Sequence, residues 1–220
     1  RSVSVRMTSL LFDYDGTLHE SLRIYAPAMQ AVYDRLADRG LAPPRQLTEG
    51  EIRTWIGLPP ESAWDRLLPG LPEAEKRRAM EQVGAGMLAR IECGGARLYP
   101  GVPEALSALQ QAGRRLSSCP RSYLDAHDRF FHLSRYFDGL FCGEDFGYQP
   151  KYRIVPTLME RYGEPFLVVG DRAADREAAQ RNHLRFAGCL YGYGSAGELA
   201  GADVLIRTPA ELQSALSRLC

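Results

Sequence analysis

The sequence predicts an α/β fold: a parallel sheet interleaved with helices, with an all-helical block inserted after the first strand. Three observations carry this expectation. A short apolar run over residues 9–12 stops abruptly at an acidic, glycine-containing turn over residues 13–17. Residues 21–95 then keep helical periodicity, broken only at proline and glycine. From residue 96 onward short apolar runs alternate with helical segments, the pattern of parallel strands joined by crossover helices and buried on both faces.

In the inserted block, Leu22, Tyr25, Met29, Val32 and Leu36 recur at the spacing of one helix face, and Gly40 with Pro43 and Pro44 ends that helix. Thr48 followed by Glu51 is a capping-box pattern, in which hydroxyl and carboxylate each satisfy a backbone N–H left open by the first helical turn. A second helix is expected to start there and run through Trp55. Further helices are expected over 61–68 and 73–91, separated by Pro59-Pro60, Pro69-Gly70 and Gly94-Gly95. Beyond the block, a helix over 102–112 stops at Gly113 before a very short strand, 114–117. A helix over 122–133, a strand at 140–142, a loop through Lys151 and a helix carrying Ile154, Leu158 and Met159 follow. Residues 166–169 are fully apolar and stop at Gly170-Asp171; two last strands, 186–190 and 204–206, precede a closing helix. The expected division is a core of residues 1–20 and 96–220 around a helical cap, 21–95.

At 220 residues the chain can hold one domain with a sizeable insertion. Apolar residues make up 45% and charged residues 25%, the profile of an ordinary globular chain. Lys+Arg and Asp+Glu are both 27, so no basic footprint exists for nucleic acid or an anionic membrane. No apolar run reaches the length of a membrane span, and residues 1–6 do not read as a signal peptide. The five cysteines are scattered and contain no Cys-x-x-Cys pair, as expected of reduced thiols in a cytoplasmic protein. The four histidines form no His-x-x-x-His pair and are expected to be free on solvated helices.

Ligands of a parallel sheet bind beyond the carboxyl ends of its strands. Those ends carry Asp13 and Asp15, then Ser117 or Ser118, then the 144–151 loop, then Asp171 and Asp175. One Asp after a strand is ordinary turn chemistry. Two acidic clusters, each at the end of an apolar strand and far apart in sequence, are hard to account for that way. Crowded carboxylates repel one another and need a cation; hard oxygen ligands suit Mg²⁺, which keeps waters and binds a substrate phosphate. A carboxylate attacking phosphorus needs such a cation, because both partners are negative. In an Asp-x-Asp pair, one carboxylate can attack while the other protonates the departing alkoxide and later activates water.

Phe12-Asp13-Tyr14-Asp15-Gly16-Thr17-Leu18 resembles the first signature of the haloacid dehalogenase-like superfamily, and Val169-Gly170-Asp171-Arg172-Ala173-Ala174-Asp175 resembles its fourth motif. Nearly the whole chain follows that family's order, and the helical insertion matches one of its cap classes. Arg53-Thr54-Trp55-Ile56-Gly57 and Leu190-Tyr191-Gly192-Tyr193-Gly194 resemble its phosphoglycolate phosphatase branch. The resemblance implies a Rossmann-like core with Mg²⁺ as cofactor. It makes Asp13 the nucleophile and a metal ligand, and Asp15 the general acid/base, which also gives the metal its backbone carbonyl. Asp171 becomes the acidic ligand from the second cluster, with Asp175 supporting the metal shell. The superfamily's dehalogenases lack an acid two residues after the nucleophile, so Asp15 points to phosphate chemistry. The family's second motif, a Ser or Thr binding a phosphoryl oxygen, falls on Ser117, with Ser118 as the alternative and plain turn serines as the rival reading. Its third, a Lys usually followed by Pro, is met by Lys151 in the order Gln149-Pro150-Lys151, a shift that a long, flexible ammonium side chain can span. The chain has only two lysines, Lys76 and Lys151, so a lysine in this loop is itself a signal. Arg53 and Trp55 are candidate substrate contacts from the cap, with core packing the alternative for Trp55.

These readings imply a Mg²⁺-dependent hydrolase of a small phosphorylated metabolite, phosphoglycolate first, acting as a monomer or homodimer. A phosphomutase, a sugar or nucleotide phosphatase, and a weakened relative that binds a phosphorylated ligand or partner are the alternatives. Residues 192–197 fit Gly-x-Gly-x-x-Gly, but the strand at Val204 follows too soon for a dinucleotide unit, which leaves a glycine-rich rim loop. Cys119 lacks the downstream Arg of a cysteine phosphatase; Asp125 stands in its place.

Overall fold

The computed structural model describes residues 9–109, 113–117, 119–163 and 165–219. Among them, one parallel sheet is built from β1 (Ser9–Phe12), β2 (Gly113–Ser117), β3 (Gly139–Cys142), β4 (Phe166–Gly170), β5 (Arg185–Cys189) and β6 (Val204–Ile206). Their order is β3-β2-β1-β4-β5-β6, with every neighbouring pair parallel. The α/β class expected from the sequence is the one found. The chain builds outward from β1 to β3, then crosses back to place β4 on the other side of β1. Such a reversal leaves a crevice at the carboxyl ends of the two strands, where open α/β sheets bind their ligands. Phe12 stands opposite Val169 in the register, and the Asp13 N–H donates to the Val169 carbonyl at 2.8 Å. The two acidic turns therefore leave the sheet side by side.

Helices α1 (Leu22–Asp38), α2 (Glu49–Arg53), α3 (Pro60–Leu67) and α4 (Glu73–Glu92) fall within the insertion; α5 (Val102–Ala108), α6 (Arg121–Phe131), α7 (Lys151–Tyr162), α8 (Ala173–Arg181) and α9 (Leu212–Ser217) accompany the sheet. Apart from Ser9, β1 and β4 read as apolar runs, as suits strands whose residues are all buried. Side chains alternate along a strand. Leu11, Phe166, Val168 and Phe186 share a cluster with Ile154, Val155 and Leu158 of α7 and Ala178 and Ala179 of α8. Leu10, Phe12, Leu167 and Val169 point to the opposite face, where Phe12 meets Phe137 edge-on at 5.8 Å. Fully burying each large apolar side chain stabilises the fold by roughly 1.5–3 kcal/mol, which anchors the strand ends that carry the acids.

Glu20–Arg97 form a compact unit distinct from the rest of the chain. Its core joins Met29, Val32, Tyr33 and Leu36 to Ile52, Trp55, Trp64 and Val83. Trp55 is 6% exposed and belongs to that core, in line with the packing alternative for it. The Thr48–Glu51 capping box is present with both of its reciprocal bonds. α2 ends at Arg53 and not at Trp55: the Thr54 hydroxyl takes the Glu51 carbonyl at 2.7 Å, and Gly57 turns the chain at φ 83° before Pro59 and Pro60. β2 starts at Gly113, one residue earlier than expected, and Ser117 ends it opposite Cys142. The expected helix end at 110–112 and Ser118 lie outside the described residues. Among the described residues, no helix is long and apolar enough to cross a membrane.

Candidate active site

Asp13 follows the last residue of β1 and is 9% exposed. The turn after it depends on Gly16, whose φ of +84° suits glycine and whose position leaves no room for a Cβ against the Asp171 carboxylate. Asp171 follows β4 and is fully buried. It is held from two directions: the Thr17 hydroxyl donates to its Oδ1 at 3.1 Å, and the Tyr193 N–H donates to its Oδ2 at 2.7 Å. The second contact needs the backbone of the glycine-rich loop close by; a Cβ on Gly192 would run into the Asp171 side chain. Asp175 lies in the first turn of α8, where the Arg172 N–H donates to its Oδ2 at 3.0 Å. A carboxylate there suits the positive end of the helix.

Lys151 is not part of a loop, as the sequence suggested, but the first residue of α7, with Pro150 as its N-cap. A cation at a helix N-terminus is disfavoured by the backbone dipoles. Two carboxylates offset that: Lys151 Nζ lies 2.7 Å from Asp13 Oδ1 and 2.6 Å from Asp175 Oδ1. Burial opposes the lysine's charge, yet Asp13 and Asp175 hold its ammonium above the ordinary lysine range. The shifted Gln149-Pro150-Lys151 order thus still delivers the ammonium to the acids.

Asp13, Asp171 and Asp175 each present a carboxylate oxygen, all within 4.8 Å of one another. Burial, then the Asp175 charge, pushes Asp13 up to about 7 despite Lys151. Burial, then Asp13 and Asp175, drives Asp171 well above the carboxylate range despite the bonds from Tyr193 and Thr17. Three buried carboxylates against one ammonium call for further positive charge, and an all-oxygen donor set suits a hard divalent cation. The residues present fit such an ion.

Asp15 belongs to different surroundings. Its Oδ1 accepts from the Tyr123 hydroxyl at 2.9 Å and lies 3.0 Å from His19 Nδ1. The two aspartates of the first acidic turn, two positions apart, therefore sit in separate electrostatic environments, the arrangement that lets two carboxyl groups take different roles. His19 and His127 are both 0% exposed, which corrects the expectation of solvated histidines; His132 and His183 are exposed. Sequence reasoning also missed Tyr123, Thr17 and Tyr193 as partners of the acids. Tyr123, His127 and Phe131 recur at one-face spacing on α6, a signal that could have marked that face as buried. Arg53 closes α2 in the helical unit and is half-buried.

A family model described as haloacid dehalogenase-like hydrolase matches residues 7–183. A 5'-nucleotidase from Pseudomonas aeruginosa is 30% identical over 209 residues, 90% of each chain. A phosphoglycolate phosphatase from Synechococcus elongatus is 30% identical over 228 residues, covering 97% of this chain and 99% of that one. The solved structure of a predicted phosphoglycolate phosphatase from Haemophilus somnus superposes with a TM-score of 0.80 at 23% identity, covering 96% and 99% of the two chains.

Proposed function

The chain belongs to the haloacid dehalogenase-like hydrolases, and on that premise we propose that it is a Mg²⁺-dependent phosphatase of a small phosphomonoester, acting through a phosphoryl group carried on Asp13. One observation carries the reading: Asp13, Asp171 and Asp175 converge within 4.8 Å beside the Lys151 ammonium, while Asp15, two residues from Asp13, is bonded elsewhere. Bound Mg²⁺, held by Asp13, Asp171, the Asp15 carbonyl and, in support, Asp175, would supply charge neutralisation between two anions.

In the first step an Asp13 carboxylate oxygen attacks phosphorus and the ester P–O bond breaks. Asp15 gives its proton to the departing alkoxide. In the second, Asp15 takes a proton from water, the water oxygen attacks phosphorus, and phosphate leaves Asp13 as a carboxylate. Lys151 keeps Asp13 in place and offers its ammonium to phosphoryl oxygens. Ser117, at the end of β2, or Ser118 would bind another of those oxygens. Residues 21–95 are the proposed cap, and Arg53 is its proposed contact with an anionic substrate group. The scattered cysteines, with no Cys-x-x-Cys pair, suit a cytoplasmic setting, and a monomer or homodimer completes the proposal.

Phosphoglycolate is the first substrate to test, since a relative named for it aligns with nearly the whole chain. A nucleoside monophosphate is the second, on the similarity to a 5'-nucleotidase. The experiment is Mg²⁺-dependent phosphate release from p-nitrophenyl phosphate, phosphoglycolate, sugar phosphates and nucleoside 5'-monophosphates, with wild type beside Asp13→Asn. Turnover by wild type alone is expected. Equal inactivity of both proteins across the panel would leave only a phosphoester-binding role.

A further inference from the structure

Around Asp15 lies a buried polar and aromatic cluster that the phosphatase reading leaves without a task. Tyr14 and His19 come from the acidic turn and its exit. Tyr123, His127 and Phe131 come from one face of α6. Tyr14, His19 and His127 are 0% exposed and Tyr123 is 7% exposed. Burying imidazoles and phenols costs free energy unless their polar atoms are matched; His19 Nε2 has no hydrogen-bond partner among the described residues, whereas its Nδ1 and the Tyr123 hydroxyl converge on one acid. The Tyr123 hydroxyl and His19 Nδ1 meet the same Asp15 oxygen, Oδ1, at 2.9 and 3.0 Å, and lie 3.5 Å from each other. Behind them, the Tyr14 hydroxyl meets His127 Nδ1 at 2.7 Å. The His127 ring lies 4.4 Å from the rings of both Tyr123 and His19, and Tyr14 stacks on His19 at 5.2 Å.

With the His19 proton assigned to Nδ1, the nitrogen that faces the carboxylate, Oδ1 accepts from two side chains, which gives the Asp15 carboxyl group one fixed orientation from which to exchange a proton. The packed rings also fix the plane of the carboxyl group, since neither donor can move without displacing His127. We propose that His19 and Tyr123 are positioning residues that clamp Asp15 Oδ1 and so orient its carboxyl group for proton transfer with the leaving group, braced by His127 and Tyr14. The inference rests on Asp15 being the general acid/base of the phosphatase reading. In the first step the Asp15 proton passes to the departing alkoxide as the P–O bond breaks; in the second, Asp15 receives one from water.

The test compares kcat/KM of wild type, Tyr123→Phe, His19→Val and His19→Asn on two esters. p-Nitrophenyl phosphate releases a group that needs no proton. Phosphoglycolate, or the alkyl ester of the panel turned over fastest, releases an alkoxide that does. The ratio kcat/KM covers only the steps up to alcohol release, so the later attack of water does not enter. Tyr123→Phe and His19→Val are each expected to lose roughly 10- to 100-fold on the alkyl ester and about 2-fold or less on the nitrophenyl ester. His19→Asn, whose amide N–H can replace the Nδ1 donor, should recover most of the loss. Thermal melts report folding; should His19→Val not fold, Tyr123→Phe, which removes a single oxygen, carries the comparison. Equal losses on both esters, or none on either, would overturn the proposal and leave the cluster a packing feature. Asp15→Asn separates the two levels: selective loss there, without loss in the clamp variants, sinks the clamp alone. A wild type inactive on every ester sinks the phosphatase reading and the clamp with it.

Discussion

The chain's two lysines, with side chains 15% and 11% exposed, meet partners in opposite surroundings at similar distances. Lys76 of α4 lies 2.5 Å from Asp65 and 3.2 Å from Glu73, whose side chains are 58% and 64% exposed. Lys151 lies 2.7 Å from Asp13 and 2.6 Å from Asp175, whose side chains are 9% and 2% exposed. Water screens the first set, and ordering long side chains there costs most of what the attraction gains. In the second set no solvent replaces a lost partner, so removing one charge leaves another buried and unmatched. Burial, not separation, decides which ion pair matters. It also explains why the buried set can be reactive: carboxylates crowded out of water are held near the point of accepting a proton or a cation.

The largest break in this comparison is expected from Asp13→Asn, which should lower phosphatase kcat/KM by roughly 10⁴-fold or more with the fold intact. Next, Lys151→Met should lower the stability of the metal-free protein by about 3–5 kcal/mol, read from urea midpoints, because it strands Asp13 and Asp175. Adding Mg²⁺ to metal-free protein should raise the thermal midpoint, equivalent to about 2.7 kcal/mol at roughly one hundred times Kd. Asp171→Asn should remove most of that shift, which ties it to the cluster instead of to ionic strength. In the helical unit, Thr48→Ala deletes the capping-box hydroxyl and should cost about 1 kcal/mol. Lys76→Met should leave the midpoint within experimental error. A Lys76 variant as damaging as the Lys151 variant would overturn the contrast.

Much of the fold was legible because β1 and β4 are buried along their whole length and read as nearly continuous apolar runs, unlike β2 with Arg114 and Arg115. The 9–12 and 166–169 runs announce themselves, and the acids that end them stand out for that reason. Lys151 was legible by rarity, but its setting was not: only the N-cap role of Pro150 shows that the residue opens α7 and reaches back to both acids. The surroundings of Asp15 were hidden because they are tertiary. His19 reads as one polar residue in an acidic turn, and Tyr123 and His127 lie more than a hundred positions away on α6. Hydrogen bonding to a partner distant in sequence makes a buried imidazole tolerable, and single-sequence periodicity carries no trace of such a partner. Trp55 illustrates the reverse: its motif context suggested a ligand, while its size and apolarity suited the core it fills.

The most direct measurement is acid quench of the enzyme during turnover of a phosphomonoester with Mg²⁺, followed by peptide mass spectrometry. The account predicts a single phosphoryl group on the peptide spanning the first acidic turn, located at Asp13 and absent from Asp13→Asn. Sustained turnover with no phosphorylated peptide, or with the group on another residue, would contradict it.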